Sequence, residues 1–216
     1  MSGAREAVMN IGAIVLIAFA VLLLTPFPRL LLAALFGQKI ARAALAKQPG
    51  TIHLVAIEPS AFRRADKVRA LASEYLGNGF RDAGSYEVPE LPGVKLQLLV
   101  NARESMYGTV YEHPVAGIWC DVVSRYLDGS AWMHSSARPT GIEPRPNSRQ
   151  RNLPGAEPLT LIANQRSERP SIGMRPASAE TAVSDFETAY AEYMTWLKAR
   201  GISTGEVVEV ARRKIA

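Results

Sequence analysis

AGIWCDVVSRYLDGSAWMHSS, residues 116–136, decides the fold class, because two alternating apolar runs flank a turn signal within it. Leu127-Asp128-Gly129-Ser130 carries the Asp-Gly pair favoured by a two-residue type I′ turn, in which both central residues need positive φ. A turn this tight joins antiparallel strands. With Asp128 and Gly129 as the turn, Leu127 faces Ser130, so the register predicts Arg125 opposite Trp132 and Val123 opposite His134. One face then holds Trp119, Asp121, Val123, Arg125, Trp132 and His134, and the other Ile118, Cys120, Val122, Ser124, Tyr126, Ala131 and Met133. The second face reads as core, where Cys120 is a small buried hydrophobe. The first is either a half-exposed sheet on which Arg125 stacks over Trp132, or a binding surface built from Trp119, Asp121, Arg125, Trp132 and His134.

Upstream, VKLQLLVN (94–101) alternates with period two and predicts a half-buried strand, and YGTVYEH (107–113) predicts another. TIHLVAI (51–57) reads as a buried strand with His53 as a hydrogen-bonded core histidine. Along AFRRADKVRALASEYLGNGF (61–80), Val68, Leu71, Ala72, Tyr75 and Leu76 recur at helical spacing, and Gly77 and Gly79 end the helix. GNGFRDAG (77–84) follows that helix, whereas a phosphate-cradling loop follows a strand, so it reads as a turn.

Downstream, residues 138–176 form an Arg/Pro-rich stretch in which only PLTLIAN (158–164) suggests order, as an edge strand. Arg145, Arg149, Arg151, Arg166 and Arg169 make this stretch either a solvated linker or a surface for an anionic lipid or an acidic protein. SAETAVSDFETAYAEYMTWLKAR (178–200) carries a stripe of Val183, Phe186, Tyr190, Tyr193 and Leu197 and ends at Gly201. Ser203 and Glu206 form a capping box for a last short helix.

At the front, AVMNIGAIVLIAFAVLLL (7–24) is interrupted only by Asn10 and is about as long as the ~20 residues a membrane-spanning helix needs. A cleaved signal peptide competes, but its apolar core is shorter and ends in small residues, whereas this run ends in TPFPR. Pro26 and Pro28 should stop the helix. RLLLAALFGQKIARAALAK (29–47) then predicts either an interfacial helix or one docked on the soluble part. Arg29, Lys39, Arg42 and Lys47 outweigh Arg5, so the long C-terminal portion is placed in the cytoplasm, as in a single-pass protein of a bacterial inner membrane.

The reading is thus an α+β fold: an N-terminal transmembrane anchor (1–28), an interfacial or linker helix (29–48), and one soluble domain (49–216) with an antiparallel sheet packed by helices. The chain has 216 residues, and its 25 Lys and Arg against 20 Asp and Glu are too mild an excess to suggest nucleic-acid binding. With one cysteine the chain has no internal disulfide. His113, Cys120 and His134 lack the paired spacing of a zinc site, no G-x-S-x-G elbow occurs, and no cofactor is implied. The function expected is a non-enzymatic, membrane-tethered interaction or accessory module. The alternative is a tethered enzyme using His113, Asp121 and His134.

Overall fold

The computed structural model describes residues 26–215. The apolar run at 7–24 lies outside the described residues, and among these no helix is long and apolar enough to cross a membrane. The chain divides into two compact units, the larger being Gln48–Pro139 with Pro144–Arg200.

The larger unit is built on a seven-stranded sheet whose strand order is that of the sequence. The strands are β1 (Val55–Ala56), β2 (Arg81–Glu87), β3 (Lys95–Asn101), β4 (Met106–His113), β5 (Gly117–Arg125), β6 (Ala131–Ser135) and β7 (Ser148–Asn152). Neighbours from β1 to β6 are antiparallel, whereas β7 pairs parallel to β6. The sheet is therefore mixed, where antiparallel pairing alone was predicted. Residues 136–147 between β6 and β7 supply the long connection that parallel pairing requires.

Helices cover both faces. On one, α2 (Ala65–Leu76) and α3 (Pro158–Glu168) bury Val68, Ala72, Tyr75, Leu161 and Ile162 against Leu99, Val110, Cys120 and Val122. On the other, α4 (Ala182–Arg200) sets Val183, Phe186 and Tyr190 against Leu96, Leu98, Val100 and Tyr107. β3 is consequently buried from Leu96 to Asn101, on both faces instead of one. The Leu98-Leu99-Val100 run is the residue of that double cover, since two-sided burial erases alternation.

Three elements depart from expectation for local reasons. In TIHLVAI only Val55 and Ala56 pair, at the sheet edge, and both are exposed. The preceding backbone is satisfied by side chains: His53 N–H donates to Glu90 (3.1 Å) and Leu54 N–H to Glu187 (2.7 Å). His53 itself is exposed, with Nδ1 2.5 Å from Glu90 Oε1, and is not a core residue. PLTLIAN begins α3, not a strand, with Pro158 in the first turn and Leu161, Ile162 and Gln165 buried on one side. SRQRN, which has no apolar residue, forms β7 through its backbone.

The Tyr75 ring of α2 packs on Gly108 of β4, where an added Cβ would come within 2.7 Å of it. Its hydroxyl donates to the Asp121 carbonyl at 2.9 Å. The smaller unit contains α1 (Pro26–Lys47) packed on α5 (Thr204–Ile215), with Pro26 and Pro28 inside α1 as described. The predicted capping box opens α5: Ser203 N–H donates to Glu206 (2.8 Å) and Glu206 N–H to Ser203 Oγ (3.2 Å).

Gly108→Ala should lower stability by roughly 1–3 kcal/mol through overpacking against Tyr75. Urea denaturation checks this, and an unchanged midpoint would mean that the ring can move aside.

Candidate binding cavity

The β5–β6 turn is one residue longer than predicted. Tyr126 N–H donates to Ser130 O (3.0 Å) and Gly129 N–H to Tyr126 O (3.1 Å), leaving the three-residue loop Leu127-Asp128-Gly129. Gly129 alone in this loop has positive φ, +80°, which matches a type I turn closed by a left-handed glycine instead of type I′. The register becomes Arg125↔Ala131, Ser124↔Trp132, Val123↔Met133 and Val122↔His134. A one-residue slip turns every side chain of a strand over. Trp119, Asp121 and Arg125 therefore share the α4 face with Ala131 and Met133, while Trp132 and His134 lie on the α2/α3 face with Cys120. The five residues expected on one binding face are split between two.

On the α2/α3 face the polar groups have partners. His134 is fully buried, with Nδ1 2.7 Å from Gln165 Oε1 and Nε2 3.2 Å from Glu168 Oε2. Gln165 Nε2 donates to Trp132 O (2.9 Å) and Ser124 Oγ (3.1 Å). The Arg149 guanidinium lies 5.1 Å from the Trp132 ring centre, taking the place expected of Arg125. Arg166 pairs with Glu104 (2.6 Å), and this hydrogen bond holds the Glu104 carboxyl below its ordinary range. Arg169 donates to Glu104 O and Ser124 Oγ, both at 2.6 Å, and Arg151 pairs with Glu168. Burial raises the Cys120 thiol to about 12, so it is inert on this face. On the α4 side, Arg145 pairs with Glu192 at 3.1 Å.

The α4 face is different. Between it and α4 lies a cavity of about 370 Å³, walled by Tyr107, Val123 and Met133 of the sheet and by Phe186, Ala189 and Tyr190 of the helix. An ion-paired cluster forms one end: Tyr107 O–H donates to Asp185 Oδ2 (2.6 Å), Arg175 pairs with Asp185 (2.7 Å), and Arg125 donates to Asp185 O (2.7 Å). A second cavity of about 530 Å³, lined by Ile52, Leu91, His113 and Trp119, shares Tyr111, Asp121, Phe186 and Tyr190 with the first. The cross-strand pair Tyr111 and Trp119 stacks at 4.7 Å with planes 13° apart.

Asp121 stands at the junction. It is 8% exposed, and its Oδ1 is buried without a hydrogen-bond partner. Burial pushes its carboxyl up to about 6, outweighing the opposite pull of nearby Ser135, Tyr111 and Trp119. His113 shares this face, but its Nδ1 accepts Val115 and Ala116 N–H, both at 3.0 Å, and so closes the β4–β5 tip. Among the described residues no group of three or more His, Cys, Asp or Glu side chains is placed to hold a metal ion. Sequence reasoning missed Tyr107, Thr109 and Tyr111 of β4, whose alternation was the available signal, because it did not establish what lay over that face.

The chain matches no protein-family model, and no curated protein or solved structure matches it.

The rise of the Asp121 carboxyl from 3.8 to about 6 corresponds to roughly 3 kcal/mol. Between about pH 4 and 6 the folded chain keeps a proton that the unfolded chain has released, so stability falls as pH rises through that window and the penalty is complete above it. Asp121→Asn should therefore raise stability at pH 8 by about 1–2 kcal/mol, less than the full figure because the amide is itself buried. Urea melts of both proteins at pH 4 and pH 8 test this, and a variant less stable than the native chain at both would mean that the carboxyl is satisfied.

Proposed function

We propose that Gln48–Pro139 with Pro144–Arg200 is a non-enzymatic ligand-binding module whose ligand occupies the cavity beneath α4. The observation that carries this reading is the cavity itself: aromatic and aliphatic walls, a volume of about 370 Å³, and a few convergent polar groups including Thr109 and Asp121. Small-molecule sites have this character, apolar surface for affinity and sparse polar groups for orientation. The run at 7–24 supports a single membrane pass, and the basic residues after it support a cytoplasmic module. A tether would concentrate the module where its ligand or partner meets the bilayer. An anionic lipid or acidic partner for the arginines has less support, since Arg145, Arg151 and Arg166 already pair with Glu192, Glu168 and Glu104.

The enzymatic alternative draws on His113, Asp121 and His134. Asp121 and His134 project from opposite faces of the sheet, which favours the binding reading.

Ala189→Trp fills the cavity without altering its charged groups. Titration of the full chain with the neutral fluorophore N-phenyl-1-naphthylamine, against blank micelles, should give saturable binding that is at least tenfold weaker in the variant at an unchanged melting temperature. Equal binding by both proteins would remove the cavity from the proposal. For the tether, a reporter active only in the cytoplasm, fused after Ala216, should be active. Activity of an exported reporter instead would place the module on the other side.

A further inference from the structure

We propose that the ligand is an organic cation, an ammonium group on an apolar body, with its charge toward the Asp121 carboxylate and its apolar parts extending into the two adjoining cavities. This rests on reading the cavity as a binding site, and it names the ligand class.

The inference begins from an asymmetry among buried acids. Glu112 accepts the N–H groups of Arg63 (2.8 Å) and Arg64 (2.9 Å), and Asp185 has Tyr107 and Arg175. Among the described residues, Asp121 is the buried carboxylate with an oxygen, Oδ1, that has no hydrogen-bond partner, and the residue lines both cavities. A buried acid without a partner is costly, whereas one that gains a cation inside the same low-dielectric wall is strongly stabilised. Among the described residues no basic side chain is paired with Asp121: of the arginines that line the first cavity, Arg145 pairs with Glu192 and Arg149 lies over Trp132. Arg125, on the same strand face, is committed to Asp185 O at 2.7 Å and to Glu192 at 3.5 Å.

The surroundings select the type of cation. Calcium and magnesium demand six or more oxygen ligands, and among the described residues no group of three or more His, Cys, Asp or Glu side chains is placed to hold a metal ion. Aromatic faces do attract ammonium groups. The stacked Tyr111 and Trp119 rings flank the junction, and Phe186 and Tyr190 of α4 line both cavities there. Volumes of about 370 and 530 Å³ on either side leave room for an apolar body far larger than the ammonium group itself.

Isothermal titration of the full chain with 2-phenylethylamine, 2-phenylethanol and 3-phenylpropionate tests the proposal with one shape in three charge states. The amine should bind at least tenfold more tightly than the alcohol. Asp121→Asn should abolish that preference while leaving the alcohol within about threefold of its native affinity. Retained naphthylamine binding shows that this variant is folded, and Ala189→Trp should weaken amine and alcohol together. Equal binding of amine and alcohol, or a preference for the carboxylate, would overturn the cationic class while leaving the cavity as a binding site. Failure of all three together with failure of naphthylamine uptake would remove the binding reading itself.

Discussion

Leu127, Asp128 and Gly129 separate Tyr126 from Ser130, and because side chains alternate along a strand, this third loop residue turns over the whole of β6. Everything distinctive about the two faces follows from it. Trp132 and His134 go to the α2/α3 side, where His134 is buried against Gln165 and Glu168 and so helps to seat α3. Ala131 and Met133 go to the α4 side, where both line the cavity. In the shorter loop's register, the indole of Trp132 and the imidazole of His134 would occupy that face instead, and the space beneath α4 would be largely filled.

The faces also differ in how their buried polar groups are satisfied. On the α3 side, a chain of hydrogen bonds runs from His134 through Gln165 and Ser124 to Arg169 and Glu104. Such a network is rigid because each member is held by its neighbours. On the α4 side, Asp185 is satisfied by Tyr107 and Arg175, while Asp121 keeps one oxygen, Oδ1, without a partner. Tyr75 links the two sides, since its ring packs on Gly108 and its hydroxyl holds the Asp121 carbonyl from beneath the sheet. The closed face thereby fixes the backbone on which Asp121 stands.

Long amphipathic periods and paired capping residues were legible in the sequence. The α2 stripe through Val68, Ala72 and Tyr75, the α4 stripe through Val183, Phe186 and Tyr190, and the Ser203–Glu206 box all form. What was not legible depended on a choice that local sequence leaves degenerate. Asp-Gly suits both a type I′ turn and the end of a three-residue loop, and only tertiary packing selects between them. PLTLIAN is short enough to be strand or helix, and burial of Leu161 and Ile162 beside Gln165 decides for helix. SRQRN pairs through its backbone alone and leaves no pattern. Asp121 was visible as a polar residue on an alternating strand, but that its Oδ1 is buried without a partner depends on the tertiary fold.

Acid–base catalysis needs at least one group that can exchange a proton near neutral pH and a second placed to complete the transfer. The Asp121 carboxyl, at about 6, meets the first condition. Its neighbours do not meet the second. Burial first, and then the Asp121 charge, raises the Tyr111 hydroxyl well above its ordinary range, and His113 Nδ1 is engaged by two backbone N–H groups. His134 has both ring nitrogens occupied on the far side of the sheet. Among the described residues, Ser135, Tyr111 and Trp119 bear on the Asp121 carboxyl, and the other acids of the first cavity, Asp185 and Glu192, are paired with arginines. That arrangement suits attracting a charge better than passing a proton, which is the ground on which a binding module is proposed.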